Sequence, residues 1–388
     1  MKYITYNEHY FNQFEHYFEI PYAYNGEFHL ALKSKLHEYF LFFKHTIAPN
    51  FFDGIVVPGL DDEGEIDFSK GDDNTGGNHF TSLISQLIDA INEAVDLHYQ
   101  GKLYESYNSF YNVLKNQLIY DKLLIMNYIP SKYMFRLRKV SNKDNYENKY
   151  SIFHLPFDLR GKVAQQRYSI SGFPSLYLGE DVFVCCKELE VDLSRRSDYI
   201  GSVFALKGAL KVFQFLRIEQ FNDRYVKTYE GHNRNNIIYD YFLTFPLIIA
   251  CSFRVKDAYA SFKPEYIIPQ MLLSFIRQDS KIDGILYSST KVDYSELKNE
   301  HPYNLVLPVK NIDSVGYCDT LESYFNWCSP IQLKNAPRKF DNKNFPEFVT
   351  RRMTAKGFYN GKKLSNYSNT PYGKIESLLF NELHFLQK

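Results

Sequence analysis

The chain has 388 residues, enough for more than one folded core, and its 45 Lys+Arg are balanced by 45 Asp+Glu. Zero net charge gives no general attraction to nucleic acid or to an anionic membrane. The five cysteines (Cys185, Cys186, Cys251, Cys318 and Cys328) are odd in number and form no C-x-x-C pair, which argues against a disulfide framework or a cysteine-based zinc site. Tyr and Phe, 33 of each against a single Trp, supply the bulk of a large core. The start of the chain lacks a basic segment followed by an apolar one. The longest apolar run, Leu243 to Cys251, contains Pro246 and is too short to cross a bilayer. The expectation is a soluble, reduced, cytoplasmic protein with no membrane contact.

Charge is uneven along the chain. Residues 1–130 carry 8 Lys, no Arg and 18 acids, and the first arginine is Arg136. The shift falls beside Ile129-Pro130-Ser131, a helix-stopping sequence, and marks the expected end of a first domain, 1–130. Its periodicity is helical. Leu30, Leu32, Leu36, Tyr39, Phe40 and Phe43 outline one helix before Pro49. Leu83, Leu87, Ile91 and Val95, with Ile84 and Ile88, outline a second that Gly101 ends. Leu103, Tyr107, Phe110, Leu114 and Leu118 outline a third. Between the first two, Pro58 to Asn78 is rich in glycine and acids but lacks the alternating ligands and twelfth-position glutamate of an EF-hand. It reads as a solvated loop.

From 131 to 310 short strands and helices alternate. Ser175-Leu176-Tyr177-Leu178 reads as a buried strand after a turn at Gly172 and Pro174, and Val182 to Leu189 as a short helix carrying Glu188. Gly201 to Phe215 is strand-like. Asn235–Cys251 and Pro264–Arg277 are helical candidates that Pro246 and Pro269 threaten to interrupt. Ile285–Tyr287 and Leu305–Leu307 are late strands. No G-x-G-x-x-G occurs, and Gly357-x-x-x-Gly361-Lys362 is one residue short of a P-loop, so neither standard nucleotide loop is present. Residues 331–388 hold 11 Lys+Arg against 4 acids. This basic extension, 311–388, reads as a solvated segment or one packed on the acidic first domain, closed by a helix from Ile375 to Leu386. The expected fold class is α+β, a mainly helical N-terminal domain followed by a mixed α/β domain.

The stretch FHLPFDLRGKVAQQRYSISGFPSLYLGEDVFVCCKEL (Phe153 to Leu189) resembles the central motif of the RES domain family in its long form. Phe135-Arg136-Leu137-Arg138 is similar to the family's opening arginine motif, with Arg136 the better match and Arg138 in reserve. Glu188 matches the family's glutamate. Gly284-Ile285-Leu286-Tyr287-Ser288-Ser289 resembles the strand that ends in its serine. There Ser288 stands where the family often has proline, so Ser289 is the candidate and Ser288 the alternative. FKPEYIIPQMLLSFI (Phe262 to Ile276) is similar to the helix before that strand. The resemblance runs from about Tyr133 to Val309. The helical domain resembles the HEPN-type domain of long RES proteins, but without an arginine before Arg136 the HEPN nuclease pair of arginine and histidine is missing. His37, His45 and His98 are therefore read as surface or packing residues, and the domain as a docking or oligomerisation module.

The resemblance implies an ADP-ribosyltransferase-like fold for 131–310 and an NAD-consuming activity of the kind carried by toxins of RES-Xre toxin-antitoxin pairs. NAD enters as substrate, with no bound prosthetic group or metal, and phosphate, water or a macromolecule is the acceptor. An Xre-type helix-turn-helix antitoxin and a second copy of the chain are the candidate partners. Cleaving the nicotinamide–ribose bond leaves positive charge on the sugar, which a fixed carboxylate, Glu188, stabilises. Arg136, helped by Arg167, matches a diphosphate through its fork of donors. Ser289 holds a ribose or phosphate oxygen or orients Glu188. Tyr177 either stacks on nicotinamide or is plain core, and Arg167 otherwise pairs with an acid at the core edge. His154 and His232 are read as structural. A protein- or nucleic-acid-modifying ADP-ribosyltransferase and a non-catalytic binding module are the alternatives.

Overall fold

The computed structural model describes residues 8–51, 57–60, 66–72, 76–128, 133–141, 146–298, 302–337, 356–360 and 363–386. Its fold is α+β. By internal contact the chain divides into two units, Met1–Leu124 with Phe215–Phe275, and Ile125–Gln214 with Ile276–Lys388. These limits differ from boundaries at 130 and 310. Residues 215–275 belong to the first unit, because the helix Gly231–Cys251 is buried along most of its described length and needs other helices around it. Residues 311–388 belong to the second.

The first unit is helical. Its helices include Glu8–Phe18, Phe28–Phe42, Gly76–Tyr99, Leu103–Lys115 and Gly231–Cys251. The helix Gly76–Tyr99 ends at Gly101, as expected: φ is +76°, and the Lys102 and Gly101 N–H groups bond to the carbonyls of Leu97 and His98. The acid-rich segment differs from a plain loop. Its described parts, β1 (Val57–Leu60) and β2 (Ile66–Asp72), pair antiparallel, with Leu60 opposite Ile66. The aromatic residues form the core. Phe14 touches the rings of Tyr39, Tyr241, Phe242 and Phe245, the last at 4.6 Å edge-on. Pro246 does not interrupt its helix. Lacking an N–H, it leaves the Phe242 carbonyl four residues back without its usual donor, and the Tyr39 hydroxyl fills that place at 2.5 Å.

The second unit is built on a nine-stranded sheet. In chain order its strands are β3 (Ile125–Tyr128), β4 (Tyr133–Lys139), β5 (Ser175–Gly179), β6 (Tyr199–Leu206), β7 (Leu210–Phe215), β8 (Gly284–Ser288), β10 (Tyr303–Pro308), β11 (Phe325–Trp327) and β12 (Ile331–Gln332). The spatial order is β11-β6-β4-β5-β10-β8-β7-β3, and β12 also pairs with β6. A smaller sheet joins β9 (Leu297–Lys298), β13 (Gly357–Asn360) and β14 (Lys363–Asn366). The strand-like run from Gly201 to Phe215 forms two strands, β6 and β7. Pro269 lies in the first turn of the helix Ile267–Gln278, where a missing N–H costs nothing.

The C-terminal tail is a correction. Its described part is built into the second unit and is not a solvated segment. Ile375, Leu379 and Phe380 of the helix Pro371–Leu386 are buried in one cluster with Phe135, Leu137 and the helix Val182–Leu189. The basic stretch from 338 to 355, and Gly361-Lys362, lie outside the described residues.

Tyr39→Phe should leave the Phe242 carbonyl buried and unpaired. Urea unfolding should then show a loss of about 1–3 kcal/mol, whereas an unchanged midpoint would mean that the hydroxyl is not needed to carry Pro246.

Candidate functional site

The site is assembled on β4, β5, β8 and β10 of the second unit. Alternation along β4 sends Phe135 and Leu137 into the cluster with the Glu188 helix and leaves Arg136 and Arg138 on the other face. The strand β4 pairs with β6 along its whole length but meets β5 only at Phe135–Gly179. Beyond that point the two strands part, and Arg136 Nη1 donates to a carbonyl of β5, Tyr177 O, at 3.0 Å. The guanidinium makes no ion pair among the described residues, and its Nε is buried without a partner. Burial lowers its pKa to about 10, so it stays charged at neutral pH. A part-buried cation whose Nε is shut off from water and unbonded is costly to keep, and a planar fork in that state suits an oxyanion.

Glu188 sits in the last turn of the helix Val182–Leu189, half-buried. That end of a helix disfavours negative charge, so the carboxylate is held from outside. Asn304 Nδ2 donates to Glu188 Oε1 at 2.6 Å, and Lys291 Nζ donates to the Glu188 carbonyl and to Glu190 Oε1, each at 2.9 Å. Asn304 lies on β10 opposite Gly179 on β5 and Tyr287 on β8. Gly179 is what lets the helix come close. A Cβ there would lie 2.5 Å from Cys185 Sγ and 2.7 Å from Val184 Cγ1. Any side chain at 179 would push the helix, and Glu188 with it, off the strand.

The other end of this helix is held by buried polar groups. The Val184, Phe183 and Val182 N–H groups bond to Asp181 Oδ1 at 2.7 Å, Tyr367 Oη at 3.2 Å and Glu376 Oε2 at 3.2 Å. Tyr367 Oη donates to Glu376 Oε2, and Lys356 forms a fully buried ion pair with Asp181.

Ser289 follows β8 and is sealed from solvent. Its Oγ accepts the Lys291 N–H at 3.1 Å, so the hydroxyl shapes the turn that carries Lys291 to Glu188. Ser288, opposite Tyr303, is also buried. Arg167 is buried beside the same turn, with Nη2 donating to Thr290 Oγ1 at 3.0 Å. The Tyr177 hydroxyl donates to the Tyr168 carbonyl, and the Tyr168 ring packs 4.6 Å from Tyr287. Arg138 donates to Ser151 O at 2.7 Å and tethers that turn.

Glu188 and Ser289 are thus brought together through Lys291, with Arg167 and Tyr177 on the adjoining turn and strand. Among the described residues Arg136 joins the group through the Tyr177 carbonyl, and no hydrogen bond or ion pair links it to Glu188. His154 is structural. Nδ1 donates to Leu155 O at 2.7 Å, Nε2 accepts the Cys318 N–H at 2.9 Å, and burial lowers its pKa to about 4. The side chain of His232 lies outside the described residues. Sequence reasoning missed Asn304. Its signal was one amide inside the apolar run Tyr303-Asn304-Leu305-Val306-Leu307.

Fold and site together define an α+β protein with, on one strand, a part-buried arginine that makes no ion pair among the described residues, and a glutamate fixed by an amide across the neighbouring strands. The chain is 32% identical over 319 residues to the Bacillus subtilis (strain 168) protein named "Putative toxin YopC", covering 76% of this chain and 68% of that protein, and it belongs to that protein's family. No family model and no solved structure matches it.

His154 makes stability depend on pH. The unfolded ring takes a proton below about 6.5 and the folded one only near 4, so stability present above 6.5 is lost as pH falls towards 4. The loss should approach about 3 kcal/mol. Unfolding by urea from pH 7.5 to 4.5 should therefore show a shallower decline in His154→Asn than in the wild type; parallel declines would exclude the ring as the titrating group.

Proposed function

We propose that the chain is a toxin that degrades NAD by cleaving the bond between nicotinamide and ribose, with phosphate or water as acceptor. A toxin role is supported by the name of its relative. The NAD chemistry is supported by the resemblance to RES domains and, above all, by one observation: Arg136 is a part-buried cation with a buried, unbonded Nε and no anion among the described residues.

In this reading the guanidinium of Arg136 takes an oxygen of the diphosphate, and the buried Nε and the remaining Nη supply the donors. Glu188 faces the sugar. As the C–N bond breaks, its electron pair leaves with the nicotinamide ring nitrogen, and the ring becomes neutral. Positive charge gathers at the sugar carbon, where the carboxylate stabilises it more than it stabilises bound NAD. The acceptor oxygen then bonds to that carbon. A water acceptor releases its proton, whereas a phosphate dianion already carries its charge. Ser289 acts through the turn that bears Lys291, and Tyr177 through its carbonyl to Arg136. An Xre-type antitoxin is the partner this reading implies.

Purified protein incubated with NAD should release nicotinamide, and product masses with and without phosphate identify the acceptor. Release under neither condition would overturn the reading, and label transferred to a macromolecule would redirect it to protein or nucleic-acid modification. Glu188→Gln should lower single-turnover cleavage about 100-fold with NAD still bound, because such groups act on the developing charge. Arg136→Ala should chiefly weaken NAD binding, since its contact precedes the reaction. Near-normal cleavage by Glu188→Gln would remove that residue from the mechanism.

A further inference from the structure

We propose that Asn304 is a positioning residue for Glu188, an inference that rests on the NAD-cleaving reading above. The amide is 5% exposed on a strand hydrogen-bonded on both sides, to β5 and to β8. Neighbours on that strand are apolar, and an amide buried there costs stability unless it is paired. Its one hydrogen bond among the described residues is the 2.6 Å contact to Glu188 Oε1. Facing a carboxylate oxygen, the amide must present its N–H₂ and not its oxygen, which settles its orientation. The sheet itself needs no amide at this position. Leu305, Val306 and Leu307 of the same strand are fully buried hydrocarbon.

The type of donor carries the argument. A lysine or arginine in this place would hold the carboxylate equally well but would neutralise it. Asn304 is neutral, so it fixes one oxygen and leaves the full negative charge to act on a cationic sugar. The nearby cation, Lys291, is directed away from the Glu188 carboxylate, to the Glu188 carbonyl and to Glu190. Oε2 of Glu188 makes no hydrogen bond among the described residues and is left for the substrate. Gly179, directly opposite Asn304, admits the helix that brings the two side chains into contact.

The test compares Asn304→Ala, Asn304→Asp, Glu188→Gln and the double variant Glu188→Gln/Asn304→Ala by single-turnover NAD cleavage, NAD binding and pH profile. Asn304→Ala should slow cleavage about tenfold with NAD affinity nearly unchanged, the size of one hydrogen bond to a charged group. The double variant should be no slower than Glu188→Gln alone. Asn304→Asp keeps the shape but sets two carboxylates side by side. One of them retains a proton, and the acidic limb of the rate profile should move to higher pH. A residue that served only folding would lower the urea midpoint and leave that limb in place. Cleavage by Asn304→Ala within twofold of wild type, a double variant slower by the product of the single effects, or an unmoved limb in Asn304→Asp each overturns the inference. Growth arrest on induced expression separates this failure from that of the NAD reading. If wild type arrests growth but releases no nicotinamide, the reaction is wrong, yet Asn304→Ala and Glu188→Gln must still weaken arrest together for the inference to stand. A wild type silent in both assays overturns both.

Discussion

Glu188 is carried by a helix of eight residues, and everything at the candidate site depends on how that helix is held. A helix this short has no stability of its own. Its first three N–H groups are taken by Asp181, Tyr367 and Glu376, and Asp181 is neutralised in the interior by Lys356. A buried pair of this kind adds little beyond its desolvation cost, but loss of either partner strands a charge and costs about 3–5 kcal/mol. Tyr367, Glu376 and Lys356 all lie beyond residue 355. The C-terminal segment is therefore part of the site's support, and its polar side chains are spent on one helix end.

The sheet separates the two charges that matter. Because β4 and β5 share a single residue pair, Arg136 can reach a strand carbonyl instead of a carboxylate. Because Gly179 lacks a side chain, the Glu188 helix lies close against the other face of β5. The cation and the anion are thus joined through the framework of β5 and not to each other. Had they paired, each would have neutralised the other.

Other polar side chains near the site are committed to the backbone. His154 bridges Leu155 and Cys318, Arg138 holds Ser151, and Ser289 closes the turn to Lys291. Each satisfies a buried or partly buried main-chain group that has no place in the sheet. The first unit follows the same rule at Pro246, where Tyr39 supplies the donor that proline lacks.

Local pattern was enough to find the helices of the first unit, the Gly101 stop, β5, the Glu188 helix and the α+β class, because periodicity and turn chemistry act within a few residues. Arg136, Glu188 and Ser289 were also found as candidates along the chain. Which contacts they make was not legible. That Asn304 of β10 meets Glu188 depends on strand register between segments more than a hundred residues apart, and the inward turn of Ser289 and the Arg138 tether to Ser151 depend on how shorter loops fold back. The place of residues 215–275 and of the tail was hidden for the same reason. Composition marked the tail as polar and basic, yet Lys356, Tyr367 and Glu376 are buried, because each finds a partner from the start of a helix about 180 residues earlier. Polar residues can be placed in a core only by their partners, and only the tertiary structure decides which partners arrive.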